Sequence, residues 1–216
     1  MSSSVIAPAI LAENAEQYKE QVNKITGLVE RVHIDISDGE FAPTLTVGIP
    51  ELWAPEGWMI DIHAMVNDVA EYVPKLIALR PHMIIIHAEA TGDVKTALMQ
   101  IRQAGIMAGL ALLKPTVPRT VEELIKIADH VMIFSGELGR FGGTASLMQL
   151  EKIRLIKVIN PSVEIGWDGG VAVDNAYSLV QGGVNVLNVG GVIQKSSDPR
   201  TIFSRLQQEI NKTSVL

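Results

Sequence analysis

Apolar runs and amphipathic segments alternate about eight times along this chain of 216 residues. The apolar runs are short and rich in Val, Ile, Leu and Met, which is typical of strands buried on both faces of a parallel sheet. The predicted strands are Val5–Leu11, Arg31–Ile36, Met59–Val66, Met83–His87, Met107–Leu112, His130–Phe134, Val163–Trp167 and Val184–Val189.

In seven segments between these runs, the apolar residues are spaced as in helices that pack one face against a sheet. The predicted helices are Glu13–Ile25, Val69–Leu79, Asp93–Ala104, Val121–Ile127, Leu147–Val158, Val173–Gln181 and Pro199–Asn211. The stretch 38–58 is rich in Pro and Gly and predicts at most a short helix near Pro50–Trp53.

Strands that alternate with helices predict an α/β fold with a parallel sheet. Eight such units favour a (β/α)8 TIM barrel over a doubly wound open sheet. Polar residues also recur at strand ends all along the chain, whereas an open sheet would group them at one switch point. These residues are His33, Asp35, His63, His87, Lys114, Asp168 and Asn188. No linker or low-complexity run divides the chain, so one compact domain over residues 1–216 is expected.

Composition narrows the possible partners and locations. The net charge of −6 argues against binding to nucleic acid or to an anionic membrane surface. The absence of cysteine excludes disulfides and thiolate metal ligands. No apolar run approaches the ~18 residues of a spanning helix, and the start Met1-Ser2-Ser3-Ser4 lacks the basic and apolar regions of a signal peptide. We therefore expect a soluble, cytoplasmic protein without a membrane partner.

Four side chains at the ends of three predicted strands suggest a metal site. His33 and Asp35 are two residues apart on one strand and therefore point to the same side. His63 and Asp168 end two other strands and would complete a set of two imidazoles and two carboxylates. This donor set suits Zn, Mn, Fe or Co, without deciding among them. For any one of these residues, a strand cap that binds water or arginine is the simpler interpretation.

Two of these side chains carry acid/base chemistry as well. Asp35 and Asp168 come from the second and seventh strands, which approach the centre of a barrel from different sides. One carboxylate would remove the proton next to a carbonyl that the metal polarises, and the other would return a proton to the far face. The predicted result is the epimerisation of a hydroxyketone through an enediolate, with no organic cofactor.

Three glycine-rich turns follow the late strands. They are Phe141-Gly142-Gly143-Thr144, Asp168-Gly169-Gly170-Val171 and Val189-Gly190-Gly191-Val192. Glycine lets backbone amides close on a phosphate, and the loops after strands seven and eight are the usual phosphate site of a barrel. Each Gly-Gly pair alone is equally a tight turn, but the three together predict a phosphorylated substrate. They also explain how an acidic protein attracts an anion.

Other side chains near the strand ends have two interpretations each. Met65 and Met132 either line the pocket or fill the core of the barrel, which is the commoner role of methionine in barrel strands. His87 and Glu89 end the fourth strand, and either cap it or take part in catalysis.

The remaining candidates lie on the third, fourth and sixth strands. Asp61 either orients the imidazole of His63 or lies at the mouth of the barrel. His82 and His130 are expected at strand starts, where barrel residues serve stability, and no function is assigned to them.

These motifs resemble the ribulose-phosphate 3-epimerase family nearly end to end. The matching stretches are IAPAIL at 6–11, VHIDISDGEFAPTLTVG at 32–48, DIHAMV at 61–66, HAEAT at 87–91, FGG at 141–143 and DGGV at 168–171. The resemblance implies a barrel of the ribulose-phosphate-binding type, a divalent metal that is most often zinc, and a homo-oligomer, either a dimer or a hexamer. The implied metal ligands are His33, Asp35, His63 and Asp168, with Asp35 and Asp168 as the acid/base pair. Candidate phosphate and substrate contacts are Gly142, Gly143, Gly169, Gly170, Gly190, Gly191 and Met65.

The chain departs from the family pattern around the substrate. Ala9 and Ala12 replace serines of the first strand region, and Ser37 replaces a methionine. The loop before Phe141 is longer than the pattern, and its Arg140 is either a new substrate contact or a solvated side chain. A lost hydroxyl that bonds the substrate can cost ~1 kcal/mol, so these changes would retune binding without removing the chemistry.

The leading hypothesis is a metal-dependent 3-epimerase that converts D-ribulose 5-phosphate to D-xylulose 5-phosphate. A close variant acts on another pentulose or hexulose phosphate. A lyase on the same barrel is expected to carry D-x-K-x-x-D on the third strand, but Asp61-Ile62-His63-Ala64-Met65-Val66 has no lysine. A non-catalytic sugar-phosphate binding protein is a third possibility, against which the two intact aspartates argue.

Overall fold

The computed structural model describes residues 4–212, and in this part of the chain eight parallel strands close into a barrel. Each strand pairs with the next in chain order, and β8 pairs with β1. The strands are β1 (Val5–Leu11), β2 (Arg31–Ser37), β3 (Met59–Met65), β4 (Met83–His87), β5 (Met107–Leu112), β6 (His130–Phe134), β7 (Glu164–Asp168) and β8 (Val186–Val189). The predicted TIM barrel is thus confirmed, and the open sheet is wrong.

The ends of the chain leave two expectations untested. Residues 1–3 and 213–216 lie outside the described residues. The domain limits of 1 and 216 therefore stay a prediction, and so does the interpretation of the start at Met1-Ser2-Ser3.

Helices cover the outside of the barrel. They are α1 (Ala15–Ile25), α2 (Val69–Ala78), α3 (Val94–Gln103), α4 (Glu122–Ile127), α5 (Glu151–Ile159), α6 (Ala176–Gln181), α7 (Gly191–Gln194) and α8 (Pro199–Ile210). Short 3-10 helices occupy Ile49–Glu51, Pro118–Val121 and Leu147–Leu150. Among residues 4–212, no helix has both the length and the apolar character needed to cross a membrane.

The main differences from the predicted helices lie in the second half of the chain. The helix predicted from Leu147 begins as a 3-10 turn and becomes α-helical at Glu151, and the helix predicted from Val173 begins at Ala176. Helix α7 is not predicted, because its four residues are too few to show a helical apolar period.

Apolar side chains fill the space between strands and helices and also the inside of the barrel. A separate interior cluster contains Met83, Ile85, Ala111, Met132 and Phe134. Met132 is fully buried and does not line the cavity at the carboxyl end of the barrel, and its sulfur accepts a hydrogen bond from Nδ2 of Asn188 at 3.2 Å. The interpretation of Met132 as core filler is confirmed.

A network of buried charges closes the amino-terminal end of the barrel. Nε of Arg31 lies 2.6 Å from Oδ2 of Asp61, and its two terminal nitrogens lie 3.0 and 2.9 Å from the carboxylate of Glu164. Nδ1 of His130 and Nδ1 of His82 lie 2.7 and 2.8 Å from Glu164 and Asp61 respectively. Both histidines therefore lie at strand starts, as predicted.

Both interpretations of Asp61 are wrong. Its carboxylate is committed to Arg31 and His82 in the network at the amino-terminal end. Asp61 and His63 do share one side of β3, but residues two apart on a strand are separated by about 6.6 Å along its axis. Asp61 consequently lies one layer below His63 and does not touch it.

We expect Arg31→Met to lower the free energy of unfolding by about 3 kcal/mol, because it leaves the buried carboxylate of Asp61 and the partly buried carboxylate of Glu164 without their shared cation. Arg102→Met is the matched control. Arg102 is half exposed and lies 3.5 Å from Asp129, so its loss should cost less than about 1 kcal/mol. Urea unfolding of the three proteins measures the difference, and equal stabilities of the two variants would contradict the assigned role of the network.

Candidate active site

The register of the strands brings the four predicted metal ligands together at the carboxyl end of the barrel. Asp35 on β2 is the direct neighbour of His63 on β3. Nδ1 of His63 lies 2.7 Å from Oδ1 of Asp35, and Nε2 of His33 lies 3.2 Å from the same oxygen. Oδ2 of Asp168 lies 3.6 Å from Nε2 of His33 and 3.7 Å from Nδ1 of His63. We call these four residues the His–Asp cluster.

The His–Asp cluster fits a divalent cation. Its four ligand atoms all lie within 4.8 Å of one another, and ligands around a tetrahedral zinc ion are about 3.3–3.5 Å apart. His33 is fully buried, and neither of its ring nitrogens has a well-aligned hydrogen-bond partner among the described residues. A buried nitrogen without a partner is costly, and a cation bound at Nε2 would satisfy it.

The two carboxylates favour positive charge at this place. Burial would lower the pKa of His33, but the neighbouring carboxylates of Asp35 and Asp168 together outweigh burial and raise that pKa to about 10. Burial would raise the pKa of Asp35, but the two neighbouring imidazoles, and His33 above all, hold it well below its usual value. The cluster therefore attracts a cation or a proton, and Asp35 is ionised.

A cavity of about 290 Å³ opens above the cluster. The carboxylates of Asp35 and Asp168 line it, whereas His33 and His63 are fully buried and do not. Every glycine named as a phosphate contact lines the same cavity, and so does Met65. These glycines are Gly142, Gly143, Gly169, Gly170, Gly190 and Gly191. The geometry thus brings all the predicted site residues to one place.

The turn after β7 requires glycine for lack of space. Gly169 and Gly170 have φ angles of +97° and +73°. A Cβ on Gly169 would lie 2.0 Å from the backbone nitrogen of Gly136, and one on Gly170 would lie 2.1 Å from that of Ala145. The turn after β7 therefore packs backbone to backbone against the loop after β6, and together they form one wall of the cavity.

We expect Gly169→Ala to raise KM for the substrate and to lower the melting temperature, because the loop after β6 must move away from the new methyl group. Gly27→Ala is the matched control. Gly27 has a φ of +75°, but a Cβ there would meet nothing within 4 Å, so only the backbone strain remains. Steady-state kinetics and thermal unfolding separate the two effects. An unchanged KM in Gly169→Ala would show that the close approach does not shape the cavity.

The departures from the family pattern are not equivalent in the structure. Ala9 and the exposed Arg140 line the cavity. Ala12 is buried, and its carbonyl accepts a hydrogen bond from the backbone of Val47 at 2.8 Å. Ser37 is also buried, and its backbone nitrogen donates to a threonine hydroxyl at 2.8 Å. Ala9 and Arg140 are therefore the changes placed to alter substrate binding.

Sequence reasoning missed Lys195 and the contact between His87 and His63. Lys195, which directly follows α7, lines the cavity, and nothing in the local sequence pattern pointed to it. His87 lies against the cluster, with its Nε2 2.8 Å from Nε2 of His63. Its place at the end of β4, beside β3, was the signal for that contact. Asn188 also lines the cavity, and its buried Oδ1 has no hydrogen-bond partner among the described residues.

A closed eight-stranded barrel with histidines and carboxylates grouped at its carboxyl end defines a TIM-barrel enzyme. A solved structure of 3-hexulose-6-phosphate synthase from Salmonella typhimurium has the same fold, with a TM-score of 0.73. The likeness covers 95% of this chain and 97% of that one, and the sequences are 15% identical. At this identity the likeness concerns the fold alone.

Sequence comparison places the enzyme within its class. The model of the ribulose-phosphate 3 epimerase family matches residues 5–194. The chain is 30% identical to the ribulose-phosphate 3-epimerase of Aquifex aeolicus over 202 residues, which cover 90% of this chain and 91% of the relative. It is also 30% identical to that of Helicobacter pylori, over 94% of this chain and 96% of the relative. The chain belongs to the ribulose-phosphate 3-epimerase family and is an isomerase.

Proposed function

We propose that this protein inverts the configuration at C3 of a ketose phosphate, with D-ribulose 5-phosphate as the expected substrate and D-xylulose 5-phosphate as the expected product. The observation that carries the proposal is the placement of Asp35 and Asp168, whose carboxylates line one cavity together with three glycine turns. Membership of the epimerase family supports the same reaction.

The two carboxylates divide the proton transfer between them. One, as the anion, removes the proton from C3, and the electron pair moves into the C2 carbonyl to give an enediolate. The other, as the acid, delivers a proton to the opposite face of C3. Asp35 and Asp168 belong to β2 and β7, on different sides of the barrel, which supports attack on the two faces of one carbon. The ionised state of Asp35 suits it to the role of base.

The four residues of the His–Asp cluster would hold a divalent cation. When bound, the cation would polarise the C2 carbonyl and lower the energy of the negative charge that develops on its oxygen. Zinc is the proposed metal, and Mn, Fe and Co also suit two imidazoles and two carboxylates. His33 and His63, which are buried and lie outside the cavity lining, would bind and orient the cation without contacting the substrate.

The phosphate of the substrate would lie against the glycine turns. Gly142, Gly169 and Gly191 line the cavity, and a glycine has no side chain that would separate its backbone amide from a ligand. Arg140 and Lys195 line the same cavity and add positive charge. They would attract the anion locally in a protein whose net charge is −6.

A panel of ketose phosphates tests the proposal. We expect the metal-loaded protein to form D-xylulose 5-phosphate from D-ribulose 5-phosphate, as detected by NMR. Activity on a different pentulose or hexulose phosphate, with none on D-ribulose 5-phosphate, would redirect the assignment to that sugar. No epimerisation of any panel member would contradict it.

Ala9→Ser tests whether D-ribulose 5-phosphate is the preferred substrate. The variant restores the hydroxyl of the family pattern at a position that lines the cavity. If this hydroxyl bonds the pentulose, kcat/KM should rise about fivefold, which corresponds to a bond of about 1 kcal/mol. Ala12→Ser, in the core, is the control and should bring no gain. A fall in kcat/KM for Ala9→Ser would indicate that the cavity is fitted to a different sugar.

Two further expectations stay predictions. A homo-oligomer, either a dimer or a hexamer, follows from the resemblance and can be tested by sedimentation. A location in the cytoplasm follows from the composition and can be tested by fractionation.

A further inference from the structure

His63 is held at both of its ring nitrogens by neighbouring side chains. Its Nδ1 lies 2.7 Å from Oδ1 of Asp35, inside the His–Asp cluster, and its Nε2 lies 2.8 Å from Nε2 of His87. In a hydrogen bond between two imidazole nitrogens, one must donate and the other must accept. The hydrogen bonds that His87 makes therefore decide which nitrogen of His63 carries the proton.

Glu89 binds the other nitrogen of His87. Oε2 of Glu89 lies 3.3 Å from Nδ1 of His87. Oε1 accepts hydrogen bonds from the backbone nitrogen of Leu113, at 2.9 Å, and from the hydroxyl of Thr116. Burial would raise the pKa of Glu89, but these hydrogen bonds outweigh it and hold the pKa below its usual value. Glu89 is consequently an anion, which can only accept.

The surroundings of His87 keep its ring neutral. The side chain is fully buried, and the rings of Phe41 and Phe134 lie with their centres 4.6 and 6.0 Å from its own. A neutral imidazole has one N–H, and the carboxylate of Glu89 draws that proton to Nδ1. Nε2 of His87 is then an acceptor for the Nε2–H of His63.

We propose that His87 and Glu89 are positioning residues that fix His63 in the tautomer whose Nδ1 lone pair faces Asp35 and Asp168. The inference rests on the proposed function, since this lone pair is what a cation in the His–Asp cluster needs. A partner behind a metal-binding histidine fixes the orientation of its ring and raises its basicity.

A buried lysine on helix α5 holds this arrangement in place. Nζ of Lys152 on α5 donates to the carbonyls of Leu113 and Lys114, at 2.7 and 2.9 Å. The backbone nitrogen of Leu113 is one of the groups that anchor Glu89. The orientation of His63 is therefore determined by contacts that extend from β3 through β4 to the segment after β5.

A pair of variants at His87 separates the hydrogen bond from the packing. In His87→Leu, a side chain of similar bulk cannot accept from His63, whereas in His87→Gln the amide oxygen can. We expect His87→Leu to weaken Co²⁺ binding by about 10–100-fold and to change the visible spectrum of the bound ion. His87→Gln should stay close to the wild type in both measurements. Competition with a chromophoric chelator gives the affinities.

Nitrogen NMR of the zinc-loaded wild type reports the tautomer directly. We expect the His63 ring to carry its proton on Nε2. A proton on Nδ1 would overturn the inference.

His130→Leu is the matched control for these variants. It removes another buried histidine that is bound to a glutamate, Glu164 at 2.7 Å, but at the opposite end of the barrel. It should lower stability and leave Co²⁺ affinity and spectrum unchanged. Wild-type affinity in His87→Leu, or equal losses in His87→Leu and His87→Gln, would overturn the inference. None of these measurements uses a substrate, so a lack of epimerase activity would count against the proposed function alone.

Discussion

Asp35→Asn and Asp168→Asn are each expected to reduce kcat for epimerisation by about 10³-fold, the usual contribution of a positioned acid or base. Asparagine preserves the size of each side chain and still offers an oxygen to a cation. It can neither remove the proton from C3 nor return one. Both variants should stay folded, since both side chains face the cavity and neither belongs to the apolar core. Steady-state kinetics in both directions measures the loss.

The same variants should differ in the exchange of the C3 proton with solvent. Each keeps the carboxylate that serves one face of C3, so each should exchange the proton of only one epimer in deuterated water. Asp174→Asn, at an exposed position after β7, is the control and should behave as the wild type. A variant that loses Asp35 or Asp168 and still exchanges both epimers would contradict the assignment of one carboxylate to each face.

Removal of the proposed metal with a chelator is expected to abolish activity and to lower the stability of the protein. The barrel itself should survive, because its core is apolar and independent of the His–Asp cluster. A ligand present at a thousand times its dissociation constant stabilises the folded state by about 4 kcal/mol, and this contribution is lost on removal. Zn²⁺, Mn²⁺ or Co²⁺ should restore activity, whereas Ca²⁺ should not, since Ca²⁺ prefers oxygen ligands alone.

His33→Ala separates a specific metal requirement from a general effect of the chelator. This variant removes one buried imidazole of the His–Asp cluster, so it should bind Zn²⁺ more weakly than the wild type. His82→Ala, which removes a histidine at the amino-terminal end, should bind Zn²⁺ normally. Full activity of the wild type in excess chelator, with no metal detected by elemental analysis, would contradict the proposed use of a cation.

The strands were predictable almost to the residue, because every strand of a barrel is covered on both faces. A parallel strand covered on both faces is a continuous apolar run, and a run such as Met83–His87 is short enough to favour a strand over a helix. Helix α7 was not predictable, because four residues carry no period.

Asp61 was misplaced for a different reason. The alternation of residues along β3 predicts which side of the strand Asp61 faces. It does not predict how far along the barrel axis its carboxylate lies, and this depth is what brings it to Arg31.

The candidate site was predictable where its residues share a strand or an obvious turn. His33 and Asp35 follow from the period of two along β2, and the glycine pairs mark the turns around the cavity. The sequence places His87 at the end of β4, beside β3, but its contact with His63 depends on the stagger between the two strands, which the sequence does not encode locally. The same is true of Lys195, whose approach to the cavity depends on how α7 packs.

Incorporation of deuterium at C3 tests the central claim most directly. The metal-loaded protein is incubated with D-ribulose 5-phosphate in deuterated water, and both ketose phosphates are recovered for NMR and mass analysis. A two-carboxylate epimerase should place deuterium at C3 of the D-xylulose 5-phosphate that it forms, and nowhere else in the sugar. Formation of that product without deuterium at C3, or the recovery of D-ribulose 5-phosphate unchanged and unlabelled, would contradict the account.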